Sequence, residues 1–186
     1  MLLLPQFENL SFCYWSACFS ELLRKPANFK NFTVLLDGMP IKIREAMPSD
    51  FERLEEILAQ NEMLTSPEID GRGAMQRVHE RMGAYFLAAE IENYVVGMVR
   101  GCYDGSRALV HQMAVDKRYQ RQGVGKRLVC EIALRFKSDG AQSISVTSTE
   151  EAKGYYGDLG FSGLPITLMV AFDINEVIKR TLPDGN

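Results

Sequence analysis

The sequence predicts an α/β (α+β) fold, a mixed and mostly antiparallel sheet covered by helices. The predicted elements run β-α-α-β-β-β-α-β-α-β. Two strand patterns, Tyr85–Ile91 and Tyr94–Tyr103, flank only the polar pair Glu92-Asn93, a hairpin signal that requires antiparallel pairing. Further on, a strand, a long helix and a second strand follow one another, and strands joined through a helix pair in parallel.

The chain has 186 residues, enough for one domain with a substantial core. Its 46% apolar and 24% charged residues are those of a soluble globular protein. A net charge of −3 argues against a broad nucleic-acid surface, though not against a local basic patch. Cys13, Cys18, Cys102 and Cys130 form no C-x-x-C pair and read as reduced thiols of a cytosolic protein. His79 and His111 sit in no zinc-binding spacing, so no metal is expected.

Residues 1–38 differ from the rest. The first nine residues lack a basic start, and Pro5, Gln6 and Glu8 interrupt their apolar run, which is unlike a secretory signal. No window holds the ~20 apolar residues of a bilayer span. The expectation is a cytoplasmic protein with no membrane span. Phe12, Trp15, Phe19 and Leu22 recur at helical steps. They predict an amphipathic helix that docks on the domain, forms a dimer contact or meets a membrane surface. Alternatively, Met39 is the true start. Pro26–Gly38 reads as a linker, with the domain proper at 39–186.

From Met39 each element has its own signal. Ile41-Lys42-Ile43-Arg44 alternates like a half-buried strand. Ser49 to Glu52 reads as a capping box that opens a helix with Leu54, Ile57 and Leu58 on one face. A second helical stretch covers about 73–82. After the hairpin, Asp104-Gly105 marks a turn into the strand Ala108–Val115. Gly123–Lys137 is helical, with Val124, Leu128, Ile132 and Phe136 at spacings of four. Ala141–Thr147 reads as a strand, Glu150–Leu159 as a helix and Ile166–Phe172 as a closing strand. Asp139-Gly140 and Gly160 terminate helices.

The chemistry concentrates between strand and helix, in Val110-His111-Gln112-Met113-Ala114-Val115-Asp116 and the basic loop Lys117 to Arg127. The first turn of a helix presents unpaired N–H groups and the positive end of the macrodipole, a seat for a pyrophosphate. Gly123 and Gly125 permit close approach, and Arg118, Arg121, Lys126 and Arg127 add charge. A P-loop is excluded because Gln120 and Arg127 stand where glycine and Ser/Thr are required, and a dinucleotide fingerprint because Leu128 replaces its last small residue.

What does match is Q/R-x-x-G-x-G/A, here Gln120-Arg121-Gln122-Gly123-Val124-Gly125. This resembles the acyl-CoA loop of the GNAT superfamily of N-acetyltransferases. Ala152, Tyr155, Tyr156, Gly160 and Phe161 match a second signature of that family, and the likeness spans roughly residues 40–172. The resemblance implies a GNAT-like sheet with a central parallel splayed strand pair and helices on both faces. It implies acetyl-CoA as acyl donor, held by Met113, Ala114, Val115, Arg121, Gln122, Gly123, Val124, Gly125, Lys126, Thr149 and Tyr155. It also implies Tyr156 beside the cofactor sulfur as general acid. Thr149 departs from the asparagine common in the family.

Two groups compete for the base. His111 has an imidazole that accepts a proton near neutral pH, and strict alternation places it on the face of Met113 and Val115. Glu90 is the alternative, through water. The expected reaction is acetyl transfer to a primary amine, on a small molecule or a protein, and the resemblance leaves room for a homodimer, as in many members of the family. The acceptor walls are expected from 63–82, with Glu62, Glu68, Asp70 and Glu80, and from Gly163-Leu164-Pro165. A non-catalytic acyl-CoA sensor is the competing reading, and no P-loop or Mg²⁺-ligand pattern supports a phosphotransferase.

Overall fold

A computed structural model describes residues 33–36, 39–171 and 173–181. Among them a six-stranded sheet has the order of the sequence itself. β1 (Thr33–Leu36), β2 (Met39–Glu45), β3 (Ala84–Ile91), β4 (Tyr94–Tyr103) and β5 (Ala108–Val115) are antiparallel neighbours, and β6 (Ile144–Val146) lies parallel to β5. Strand β1 falls within the stretch read as a linker and adds an edge to β2. The expected helix around Phe12–Leu22 lies outside the described residues.

Helices cover both faces. On one, α4 (Val124–Ser138) lays Val124, Leu128, Ile132 and Phe136 over Leu87, Val96 and Val99. On the other, α1 (Phe51–Gln60) and α3 (Arg72–His79) pack Leu54, Ile57, Leu58 and Met75 against Phe86, Ala88 and Met98. A one-turn helix, α2 (Pro67–Asp70), precedes α3. The spacings of four noted in the sequence are thus core contacts.

The hairpin forms at Glu92-Asn93, both with positive φ (49° and 64°), the backbone of a type I′ turn. The capping box does not form as read. The helix starts one residue later, at Phe51, and the carboxylate that turns back belongs to Asp50. It accepts from the Met47 amide at 2.7 Å and from Arg44. Asp50 wins over Ser49 because it also meets a guanidinium.

The C-terminal elements differ most from expectation. The strand over 141–147 contracts to β6, and the helix over 150–159 to α5 (Lys153–Asp158). Residues 166–171 form no strand, with Ile166 79% and Met169 88% exposed. A β-prone run needs a neighbour for its backbone and a surface for its side chains, and among the described residues it has neither. Among the described residues β6 is therefore the last strand of the sheet. A helix not anticipated, α6 (Ile174–Thr181), follows.

Candidate active site

The site begins where two parallel strands part. β5 and β6 pair from Ala108–Ile144 to Val110–Val146 and no further, while β5 continues to Val115. Five more residues at about 3.3 Å each leave roughly 16 Å of strand bordering a gap. The direction of its backbone groups follows from one bond. The Asp116 amide donates to the Val96 carbonyl at 2.8 Å. Antiparallel ladders alternate, so Ala114 and Gln112 bond to β4, and Met113 and Val115 turn their amides and carbonyls toward the gap.

Two side chains already claim one of these groups. The Val115 carbonyl accepts from Asn61 Nδ2 and Gln120 Nε2, both at 3.1 Å, and Gln120 also reaches Asn61 Oδ1 at 2.9 Å. Gln120, the first residue of the loop motif, thus clamps the strand end to the end of α1. Met113 and the Val115 amide remain along the gap. The structure does not bring Ala114 there, because its backbone pairs with β4 and its side chain lies in the core beneath α1.

The turn at 121–126 has the curvature an anion requires. Arg121 (φ 59°) and Gly123 (φ 83°) both take the left-handed conformation before α4 starts at Val124. Such a sequence of conformations curls successive N–H groups around a concavity. Gly123 is at ease there, whereas a residue with a Cβ is strained. Gly125 serves differently from expectation. A Cβ on it would lie 2.8 Å from Tyr155 Oη and 3.5 Å from Met113 Cε. Its bareness lets α5 close against the start of α4. Gln122 braces the turn by donating to the Arg118 carbonyl at 2.8 Å, and Lys126 is exposed.

Asp116, not among the expected site residues, holds this turn in place. Its carboxylate is buried and accepts from Arg118 Nε and Nη2, from the Arg118 amide and from Arg53 of α1. The Arg118 bonds, then Arg53, keep it ionised far below the usual carboxylate range against the effect of burial. The D-x-R spacing was the available signal; the bond to Arg53, 63 residues away, had none.

Tyr156 is 8% exposed, edge-on to Tyr155 (5.1 Å) and Phe161 (5.5 Å). Its hydroxyl makes no hydrogen bond with the described residues, and burial raises its pKa. Burial, with Tyr156 beside it, pushes Tyr155 up to about 12. Both tyrosines therefore hold their protons at neutral pH. Thr149 is exposed at the entrance to α5.

His111 does not share a face with Met113. The β4–β5 register slips between Arg100–Gln112 and Gly101–Val110, so His111 sits in a β-bulge. The extra residue reverses the alternation. Met113 packs toward α4, whereas His111 Nε2 lies 3.3 Å from Cys102 Sγ on the α1 side. Partial desolvation of the ring by its neighbours, although the residue is exposed overall, and then the Arg100 charge hold His111 below the ordinary imidazole pKa. The same face carries the expected acceptor wall. Gln112 donates to the Met63 carbonyl at 3.1 Å, and Arg100 pairs with Asp70 at 2.9 Å. Asp70 is thereby neutralised, while Glu62, Glu68 and Glu80 are exposed. Glu90 is not placed for the role of base. It is on β3, bound across to Arg44 (2.7 Å) and Lys42 (3.3 Å) of β2, which hold its pKa down against burial.

The same span of chain that builds the gap, the turn and the two tyrosines matches a family model. Residues 59–164, more than half of the chain, match the acetyltransferase (GNAT) domain. The chain belongs to the GNAT acetyltransferase family. Its activity is acetyl transfer. Solved structures share the fold. A transcriptional regulator from Bacillus halodurans C-125 superposes with a TM-score of 0.62 at 24% identity, over 71% of this chain and 99% of that one. An aminoglycoside acetyltransferase from an uncultured soil metagenomic sample, in complex with sisomicin, gives 0.56 at 21%, over 72% and 97%. The PaiA N-acetyltransferase of Thermoplasma acidophilum, in complex with coenzyme A, gives 0.56 at 16%, over 66% and 87%.

Proposed function

We propose that this GNAT domain transfers the acetyl group of acetyl-CoA to a primary amine by direct attack on the thioester, with His111 as proton acceptor and Tyr156 as proton donor. The observation that carries the reading is the parting of β5 from β6 beyond Val110, with Met113 and Val115 turned into the gap beside the curled amides of 121–126. A narrow polar-edged slot next to an anion seat fits a pantetheine arm ending in a diphosphate. The coenzyme A carried by the archaeal neighbour supports the same donor.

In this reading Met113 and the Val115 amide hold the arm. Amides of Arg121, Gln122, Gly123, Val124, Gly125 and Lys126 hold the diphosphate, with Tyr155 and Thr149 along its course. Bound there, acetyl-CoA supplies an activated carbonyl. An alkylamine has a pKa near ~10.4 and must lose a proton before it attacks. His111, uncharged at neutral pH, accepts that proton from the α1 face. Tyr156 Oη keeps its proton and donates it toward the departing thiolate. The aminoglycoside on a neighbouring structure supports an amine acceptor. Cys102 is a free thiol, which supports a reducing, cytoplasmic location. No helix among the described residues is long and apolar enough to cross a membrane. The domain proper is assigned to 39–186, and the leader 1–38 lends it β1 as an added edge strand; light scattering tests whether it assembles as a homodimer.

The test has two parts. Millimolar CoA or acetyl-CoA is expected to raise the melting temperature, and thiol release from acetyl-CoA over a panel of amines is expected for the native protein. Tyr156→Phe should lower kcat about 10²-fold while the CoA-induced shift persists. Absence of any CoA effect sinks the donor assignment. Binding without turnover on any amine makes the protein a sensor.

A further inference from the structure

Cys102 and His111 bring a thiol and an imidazole together on adjacent strands. Cys102 lies on β4 opposite Leu109, and the bulge turns His111 across to it, Sγ to Nε2 at 3.3 Å. That distance suits a hydrogen bond to sulfur, and a nucleophile beside a base is the arrangement that activates thiols. Neither group is sealed in the core: Cys102 is half-buried and His111 exposed. Arg100, two residues along β4, faces the same side but is committed to Asp70 and the Ile69 carbonyl. Its charge disfavours an imidazolium here, which leaves the ring uncharged and able to accept a proton. Acetyl transfer to an amine does not use the thiol.

We propose that Cys102 and His111 form a dyad that makes Cys102 a site of covalent modification by soft carbon electrophiles. With the imidazole proton on Nδ1, Nε2 is the ring's single acceptor: the Cys102 S–H donates to it in the free protein, and an amine displaces that bond to hand over its proton. On attack, His111 takes the thiol proton and sulfur bonds to the electrophilic carbon. With a maleimide, the π pair of the alkene moves to the neighbouring carbon, which is then protonated, so that no group leaves and no oxidant is needed. The adduct stands against Nε2. Resting on the function proposed above, this blocks the base from the acceptor side while the donor side, across the sheet, stays intact.

The experiment uses the full chain and N-ethylmaleimide at pH 7, with peptide mass spectrometry to follow each cysteine separately. Cys102 is expected to label before Cys13, Cys18 and Cys130, and Cys102→Ser to remove the fast phase. His111→Gln, which keeps the bulk of the ring, should slow Cys102 labelling about tenfold with an unchanged melting temperature. Equal rates in native protein and His111→Gln, or labelling of Cys102 last, overturn the dyad. Where an acetylated amine has been found, singly labelled protein should lose turnover yet keep its CoA-induced thermal shift; retained turnover overturns the blocking step. The labelling arm decides the dyad even if no amine is ever acetylated.

Discussion

His111 has two neighbours that act on it differently. Partial desolvation of the ring and Arg100 disfavour its cation, and Cys102 lies at Nε2. A proton acceptor works only when uncharged, so activity is full above its pKa and lost as pH falls through it. The lowered pKa places this acid limb below about 6.5, the ordinary imidazole value. A profile of kcat/KM against pH for an acetylated amine should inflect there, and His111→Gln should remove the inflection and cost about 10²-fold. A limb unchanged in the variant would assign the base elsewhere. Gly125 is a further residue-scale lesson, because its missing Cβ makes room for a tyrosine hydroxyl and not only for a phosphate.

At the scale of elements, the turn at 121–126 is positioned by Asp116 rather than by its own glycines. The carboxylate gathers Arg118 within the loop and Arg53 from α1, so the turn cannot drift from the sheet. Its depressed pKa means stability that is complete above the unfolded value of about 3.9 and lost as pH falls through the lower folded value. Asp116→Asn leaves two guanidiniums short of a charge partner. It should lower stability by about 1–3 kcal/mol at pH 7 and by progressively less in acid. Denaturant titrations at several pH values, with CoA binding measured in parallel, check both outcomes. A loss that stays constant below pH 3 would remove the electrostatic explanation. The turn itself was legible in its glycines, whereas the bond to Arg53 was not, since nothing local links positions 53 and 116.

For the whole molecule, the sheet separates two cores of different duty. Leu128 under α4 and Leu54 under α1 are both fully buried. Leu128→Ala and Leu54→Ala should each cost about 2–5 kcal/mol. In the proposed reading they should differ in function, because α4 follows the turn assigned to the donor and α1 borders the face assigned to the acceptor. Below the melting transition, Leu128→Ala should weaken CoA binding and Leu54→Ala should raise the amine KM. The reverse pattern would contradict the two-sided layout.

The sequence by itself determined the alternation and helical spacings, and hence both cores, the hairpin and the mixed sheet. It also determined the turn before α4, because Gln120 to Gly125 set the backbone conformation within one short window. Only the tertiary structure decided which face His111 takes, which residue anchors the turn, that Glu90 is committed to Arg44, and that 166–171 has no strand to pair with among the described residues. The reason is physical. Propensity and periodicity are properties of neighbouring residues. A bulge, a buried ion pair or a strand partner depends on groups tens of residues away, and only the folded chain brings them within reach.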